Sequence, residues 1–125
     1  MDTFRFKRFE VYQDAKLFRK DVMELVSKLV NKKTYDLSDQ IKRASSSVIL
    51  NIAEGSAKRS DVDFARFLEN AIGSVFEVVA GCDIAKDEKL ITEDEYKLIE
   101  VKADSIAKQL GGFIKKLRNS SKFKK

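Results

Sequence analysis

Three glutamates, Glu54, Glu69 and Glu77, are the side chains in this sequence best suited to acid–base chemistry. Two carboxylates can divide general acid and general base work between them. On helices they more often serve as ion-pair partners. Their usual helpers are missing, because the chain has no histidine. That removes His-based catalysis, Ser-His and Cys-His nucleophile pairs, and zinc or di-iron sites built with histidine. No phosphate-cradling loop is present either: Gly55-Ser56-Ala57-Lys58-Arg59-Ser60 lacks the second glycine and the spacing. The one cysteine, Cys82, sits in an apolar helical pattern, where a buried inert thiol is expected. The residues therefore predict a protein that is not an enzyme and needs no metal or cofactor.

Binding chemistry is better represented. The 125 residues carry a formal charge of +5. From Ser105 onward there are seven Lys or Arg and no Asp or Glu, and the remainder is close to neutral. A basic terminal segment of this kind fits a polyanion or an acidic partner. It also fits a solvated helix end, since cations in a last turn complement the helix dipole. Composition does not choose between the two. As phosphate contacts the sequence offers Arg5, Lys7 and Arg8 near the start, and Lys58 and Arg59 in a middle loop. Lys115, Lys116, Arg118, Lys122, Lys124 and Lys125 complete the set at the end. No aromatic–basic platform for single strands and no groove-reading motif is visible, so weak sequence specificity is expected. The alternative is an adaptor that holds a protein partner through the same charges.

The elements that would carry these groups are helices. Hydrophobic residues make up 43% of the chain and charged residues 36%, with no proline. Val11, Ala15, Phe18, Val22, Leu25 and Leu29 form one apolar stripe at helical spacing, over about residues 8–31. Asn31-Lys32-Lys33-Thr34 breaks it, and Asp36 can cap the next helix. Leu37, Ile41, Ala44, Val48 and Ile52 mark a second helix over 36–55, with Gly55 suited to a left-handed C-cap. Ser60-x-x-Asp63 resembles a capping box and opens a third helix over 60–88, which is apolar on more than one side. Thr92-x-x-Glu95 is a cleaner capping box for a fourth helix over 93–119. Gly111-Gly112 weakens that helix locally. Residues 120–125 read as a flexible basic tail. Four such stripes with short connections predict an all-α fold, an up-down-up-down four-helix bundle in a single domain over 1–119. No signal-like or membrane-spanning run is present, so a soluble, cytoplasmic protein is expected.

Two polar stripes run beside the apolar ones. On the second helix Arg43, Ser47, Asn51 and Glu54 share a face. On the third, Arg66, Asn70, Ser74 and Glu77 repeat the spacing, flanked by Ala71, Gly73, Ala80 and Gly81. Exposed helix positions rarely use Gly and Ser. The pattern favours a packed, hydrogen-bonded seam, inside the chain or between subunits, in which a carboxylate on one stripe pairs with Arg43 or an amide on the other.

The motifs Gln40-x-x-Arg43-Ala44-x-x-Ser47-Val48-x-x-Asn51-Ile52-x-Glu54-Gly55 and Phe64-x-x-Phe67-Leu68-x-x-Ala71-x-Gly73-Ser74-x-x-Glu77 carry a family resemblance. Together with Phe9-x-Val11-Tyr12-Gln13-x-Ala15, they resemble the bacterial 23S rRNA intervening-sequence proteins, also called four helix bundle proteins. The resemblance implies an antiparallel four-helix bundle. It also implies a barrel-like homopentamer, as in the accessory protein of diversity-generating retroelements, which binds nucleic acid and a reverse transcriptase. The family name reflects genes lying within inserted segments of 23S rRNA genes, so RNA is the partner it points to. One departure is the absence of a proline before the second helix, where this chain has Lys33-Thr34-Tyr35. By this resemblance the partners are other copies of the chain and RNA, with no membrane.

Overall fold

The protein is described by a computed structural model covering residues 2–29 and 34–123. Among these residues it is all-α, with four helices and no strand. A short 3-10 turn, Arg5–Arg8, precedes α1 (Glu10–Val26). Then follow α2 (Tyr35–Ser56), α3 (Asp61–Asp87) and α4 (Glu93–Phe123). Each helix packs on its neighbours in chain order, and α1 meets α4 along the thinnest of the four seams.

The apolar stripes supply the core. Val11, Ala15, Phe18, Val22, Leu25 and Leu29 are all buried, as are Ile41, Ala44, Val48 and Ile52. So are Phe64, Leu68, Ala71, Val75, Val78, Cys82 and Ala85 of α3, and Ile99, Ala103, Ile106 and Leu110 of α4. Burial pushes the Cys82 thiol up to about 11, which keeps it protonated and unreactive.

Helix ends follow local chemistry. Ser60 Oγ accepts from the Asp63 N–H at 3.0 Å, and Thr92 and Glu95 cap each other reciprocally at 3.0 and 2.9 Å. Lys28 pairs with Glu95 and, with the Thr92 N–H, holds that carboxyl below its ordinary range. After α3 the chain turns through Lys89 at φ 61, the only positive φ among the described residues. The Leu90 N–H reaches back to the Ala85 carbonyl at 2.9 Å, a Schellman closure with lysine where glycine is usual.

Several boundaries differ from the sequence reading. Helix α1 starts at Glu10, because Phe9 is extended and Arg5–Arg8 close into a 3-10 turn. Its far end gives way to i→i+3 bonds at Lys28 and Leu29, and the break at Asn31-Lys32-Lys33 lies outside the described residues. Helix α2 starts at Tyr35 with Thr34 as its cap residue, so Asp36 sits in the first turn rather than capping. Helix α4 runs past 119 to Phe123, since Ser-Ser-Lys-Phe holds no glycine or proline to stop it. Residues 120–123 are therefore helix rather than tail, and Lys124 and Lys125 lie outside the described residues.

Gly55 is not a C-cap. It lies inside α2, buried, with no positive φ. A Cβ there would meet Phe67 Cβ at 2.7 Å and Phe64 Cδ1 at 3.0 Å. Gly81 plays the same part on α3, where a Cβ would meet Ile41 Cγ1 at 2.6 Å. These two glycines let α2 and α3 approach closely near both ends of their contact. Gly111 and Gly112 face open space instead.

The α1–α4 seam is polar and regular. Asp14 accepts from Gln109 at 3.0 Å, Asp21 pairs with Lys102, and Lys28 pairs with Glu95. Each step of seven along α1 is a step of seven back along α4.

The Phe67 Cβ cannot swing away from an added methyl at position 55. Gly55→Ala is therefore expected to lower stability by about 1–3 kcal/mol in urea denaturation, despite alanine's better helix propensity.

Candidate nucleic-acid interface

Three phenylalanines bring distant segments together. Phe9 precedes α1, Phe64 lies in the first turn of α3, and Phe113 is near the end of α4. Their ring centroids are 6.3 Å apart for Phe9–Phe64, 5.2 Å for Phe9–Phe113 and 5.1 Å for Phe64–Phe113. Phe9 and Phe64 stack, and both meet Phe113 edge to face, contacts that add to the stabilisation from burial alone. The cluster places the N-terminal segment, the α2–α3 loop and the end of α4 at one end of the fold.

Those are the segments that hold the candidate cations. Arg5, although exposed, reaches across the surface: its Nη2 donates to the Ser56 carbonyl at 3.3 Å, at the C-terminal end of α2. Its guanidinium also lies 5.6 Å from the Phe9 ring centroid and 5.5 Å from that of Phe64. Arg5 thus caps a helix and covers the aromatic cluster. Lys7 sits over the Phe4 ring at 5.7 Å, and Arg8 forms an exposed pair with Asp2. Lys58 lies 4.8 Å over the Phe67 ring, and Arg59 is exposed beside it. Lys115 and Lys116 are exposed on α4, and Arg118 pairs with Glu69 across to α3. Lys122 belongs to the last turn of α4. The net basic excess stays with the C-terminal segment, and the fold brings Lys7, Arg8, Lys58 and Arg59 to the same end, among Asp2, Asp61 and Asp63.

The opposite end has the other sign. Residues 83–95 hold six Asp or Glu and two Lys. Glu93, Asp94 and Glu95 occupy the first turn of α4, where negative charge suits the helix dipole. Asp83 holds Lys86 above its ordinary range, and Lys86 lies 4.5 Å over the Tyr96 ring. The Tyr96 hydroxyl donates to Glu100 at 2.8 Å, and with burial this pushes Tyr96 up to about 12.

The polar stripes are only partly a seam. Ser74 Oγ lies 2.8 Å from Ser47 Oγ across the α2–α3 contact. Asn51 Nδ2 donates to the Ser47 carbonyl at 2.9 Å and to Ser47 Oγ at 3.0 Å. The outer members, Arg43, Glu54, Gly73 and Glu77, are exposed, and a Cβ on Gly73 would meet nothing within 4 Å. The expected pairing of Arg43 with the facing stripe does not form. Arg43 reaches Asp39 one turn away at 2.9 Å, and Arg66 likewise takes Asp63 at 3.1 Å, because an i,i+3 or i,i+4 partner is nearer than the facing helix.

Chemistry of the carboxylates is modest. Glu54 and Glu77 are exposed, and Glu69 is the partner of Arg118. Among the described residues no three His, Cys, Asp or Glu come together to hold a metal, and no helix is long and apolar enough to cross a membrane.

One outward face is unusually apolar. Val62, Phe76 and Ile84 line the outside of α3 with Gly73 and Ala80, and Phe76 is 67% exposed. Beside it a groove of about 370 Å³ runs between α3 and α4, lined by Val75, Phe76, Val79 and Tyr96 among others.

Residues 7–112 match the profile described as 23S rRNA-intervening sequence protein. Among solved structures, this chain is similar to a protein of unknown function from the S23 ribosomal protein family of Bacteroides thetaiotaomicron VPI-5482. The TM-score is 0.78 and the identity 27%, over 84% of this chain and 98% of that one. No curated protein matches the sequence.

Arg5 is the candidate cation most engaged in holding the fold. Arg5→Gln is expected to lower stability by about 1–2 kcal/mol through loss of the Ser56 bond and both ring contacts. Arg59→Gln should leave the urea midpoint unchanged.

Proposed function

The chain belongs to the 23S rRNA-intervening sequence protein family, and we propose that this member is a non-enzymatic, cytoplasmic binding protein. It binds rRNA or another nucleic acid through its basic end. The observation that carries this reading is the convergence of Lys7, Arg8, Lys58, Arg59, Lys115 and Lys116 on one end, opposite an acidic end. A molecule polarised in this way orients itself toward a polyanion before contact. The contacts go to phosphates and release counterions, so affinity depends steeply on salt.

In this reading the helices form an antiparallel up-down-up-down bundle. The heptad pairing of α1 with α4 supports it, as do Arg19–Ser46 between α1 and α2 and Arg118–Glu69 between α3 and α4. The bundle assembles with copies of itself into a ring, a pentamer by family resemblance. The apolar outside of α3 supports a subunit contact there, with Gly73 permitting close approach and Glu77, Glu54 and Arg43 at its margin. A ring repeats the basic end several times and gives avidity without a strong single site.

Fluorescence anisotropy of a labelled rRNA fragment at about 50 and 200 mM salt tests the binding. Affinity is expected to fall by orders of magnitude between the two. Replacing Lys115, Lys116, Arg118, Lys122, Lys124 and Lys125 by Gln should lower both affinity and salt slope, and unchanged values would remove α4 from the interface. For assembly, Phe76→Glu should reduce the mass found by light scattering. An unchanged mass would place the subunit contact elsewhere.

A further inference from the structure

The N-terminal segment holds more rings and cations than the fold uses. Phe4-Arg5-Phe6-Lys7-Arg8-Phe9 alternates the two types with no acidic residue among them. Phe9 packs into the aromatic cluster and the exposed Arg5 lies over it, whereas Phe4 and Lys7 point away from it. The Phe4 ring is 58% exposed. It meets Phe6 edge to face at 6.2 Å, and Phe6 meets Tyr12 the same way at 4.9 Å. Lys7 Nζ lies 5.7 Å over Phe4, and Lys16 Nζ lies 5.0 Å over Tyr12. The result is a strip of three rings, Phe4 exposed and Phe6 and Tyr12 half-buried behind it, flanked by ammonium groups.

The strip is held in place. The Lys7 N–H donates to the Phe4 carbonyl at 3.1 Å, and Gln13 Nε2 donates to the Lys7 carbonyl at 2.6 Å. Arg5 ties the turn to the end of α2. A ligand that stacks there does not have to order the segment first.

We infer that this strip is a stacking platform for unpaired nucleobases, so that the basic end engages its nucleic acid through a single-stranded segment. The inference rests on the nucleic-acid reading above and narrows it. A duplex presents phosphates but keeps its bases stacked inside, so it gains nothing from an exposed ring. A single strand offers both a charged backbone and free π-faces, the pair of features that rings interleaved with cations recognise. Lys7 and Lys16 lie within the strip, and Arg8 is held only by an exposed ion pair, which a phosphate can displace. On the far side of the same end, Lys58 and Arg66 flank the Phe67 ring at 4.8 and 5.9 Å. An acidic protein would satisfy the cations and leave the ordered Phe4 ring unexplained. The alternation precedes the first helical stripe, which is why helical periodicity passes over it and the sequence reading found no such platform.

The test uses the full chain and its Phe4→Leu variant, which keeps apolar bulk and removes the π-face outside the core. A labelled RNA of about 12 nucleotides, matched to single-strand site sizes, is titrated as a single strand and as its duplex. Thermal melting of the variant checks that its fold is unchanged. The expected result is tighter binding of the single strand, and a loss of about fivefold to a hundredfold for that form alone in Phe4→Leu. Equal affinities in the two proteins, or equal losses for both RNA forms, overturn the platform and leave phosphate binding at the basic end intact. Binding of neither form at low salt overturns the nucleic-acid reading itself and favours an acidic protein partner.

Discussion

The contact among Phe9, Phe64 and Phe113 joins three segments that are far apart in the chain, and the chemistry of the basic end depends on it. Without that cluster the N-terminal turn would have no fixed place relative to the α2–α3 loop or the end of α4. Arg5 completes the arrangement by covering two of the rings while bonding the Ser56 carbonyl at the end of α2. A cation that looks like a surface charge in the sequence is thus part of what positions the others. Its neighbours Lys7, Arg8, Lys58 and Arg59 are exposed as well.

Much of the fold was legible because it rests on local rules. The stripes beginning at Val11, Leu37, Phe64 and Ile99 carry the core, and the capping boxes at Ser60 and Thr92 form the predicted bonds. The role of Gly55 is not legible in sequence because a glycine near a helix end has two uses, and only the facing Phe64 and Phe67 decide between them. The partner of Arg43 is hidden for a related reason: a stripe gives the face of a residue but not its nearest partner, and Asp39 lies within one turn. The candidate site was less legible than the fold. Each basic cluster can be found in the sequence, but their convergence needs the tertiary contacts of the aromatic cluster. The ring–cation alternation at Phe4–Phe9 stood in plain view, yet it has no helical period and falls outside any stripe.

Helix α3 shows how one element serves two environments. Its inner rows are buried between α2 and α4, and Gly81 brings it close to Ile41. Its outer row keeps Val62, Phe76 and Ile84 at the surface. Arg66, Glu69, Asn70 and Glu77 share the exposed side with that row. This apolar flank runs from one charged end to the other, with Val62 in the first turn of α3 and Ile84 beside Asp83.

The heptad pairs between α1 and α4 also act as a vernier on alignment. If α1 slid by one heptad in one direction, Asp21 would face Glu95; in the other, Lys28 would face Lys102. Either displacement sets like charges opposite each other along the α1–α4 seam. The correct alignment is the one in which Asp14, Asp21 and Lys28 all find complementary partners. The thinnest seam of the fold therefore carries the information that fixes where its first helix stops sliding, and with it where the N-terminal rings come to rest.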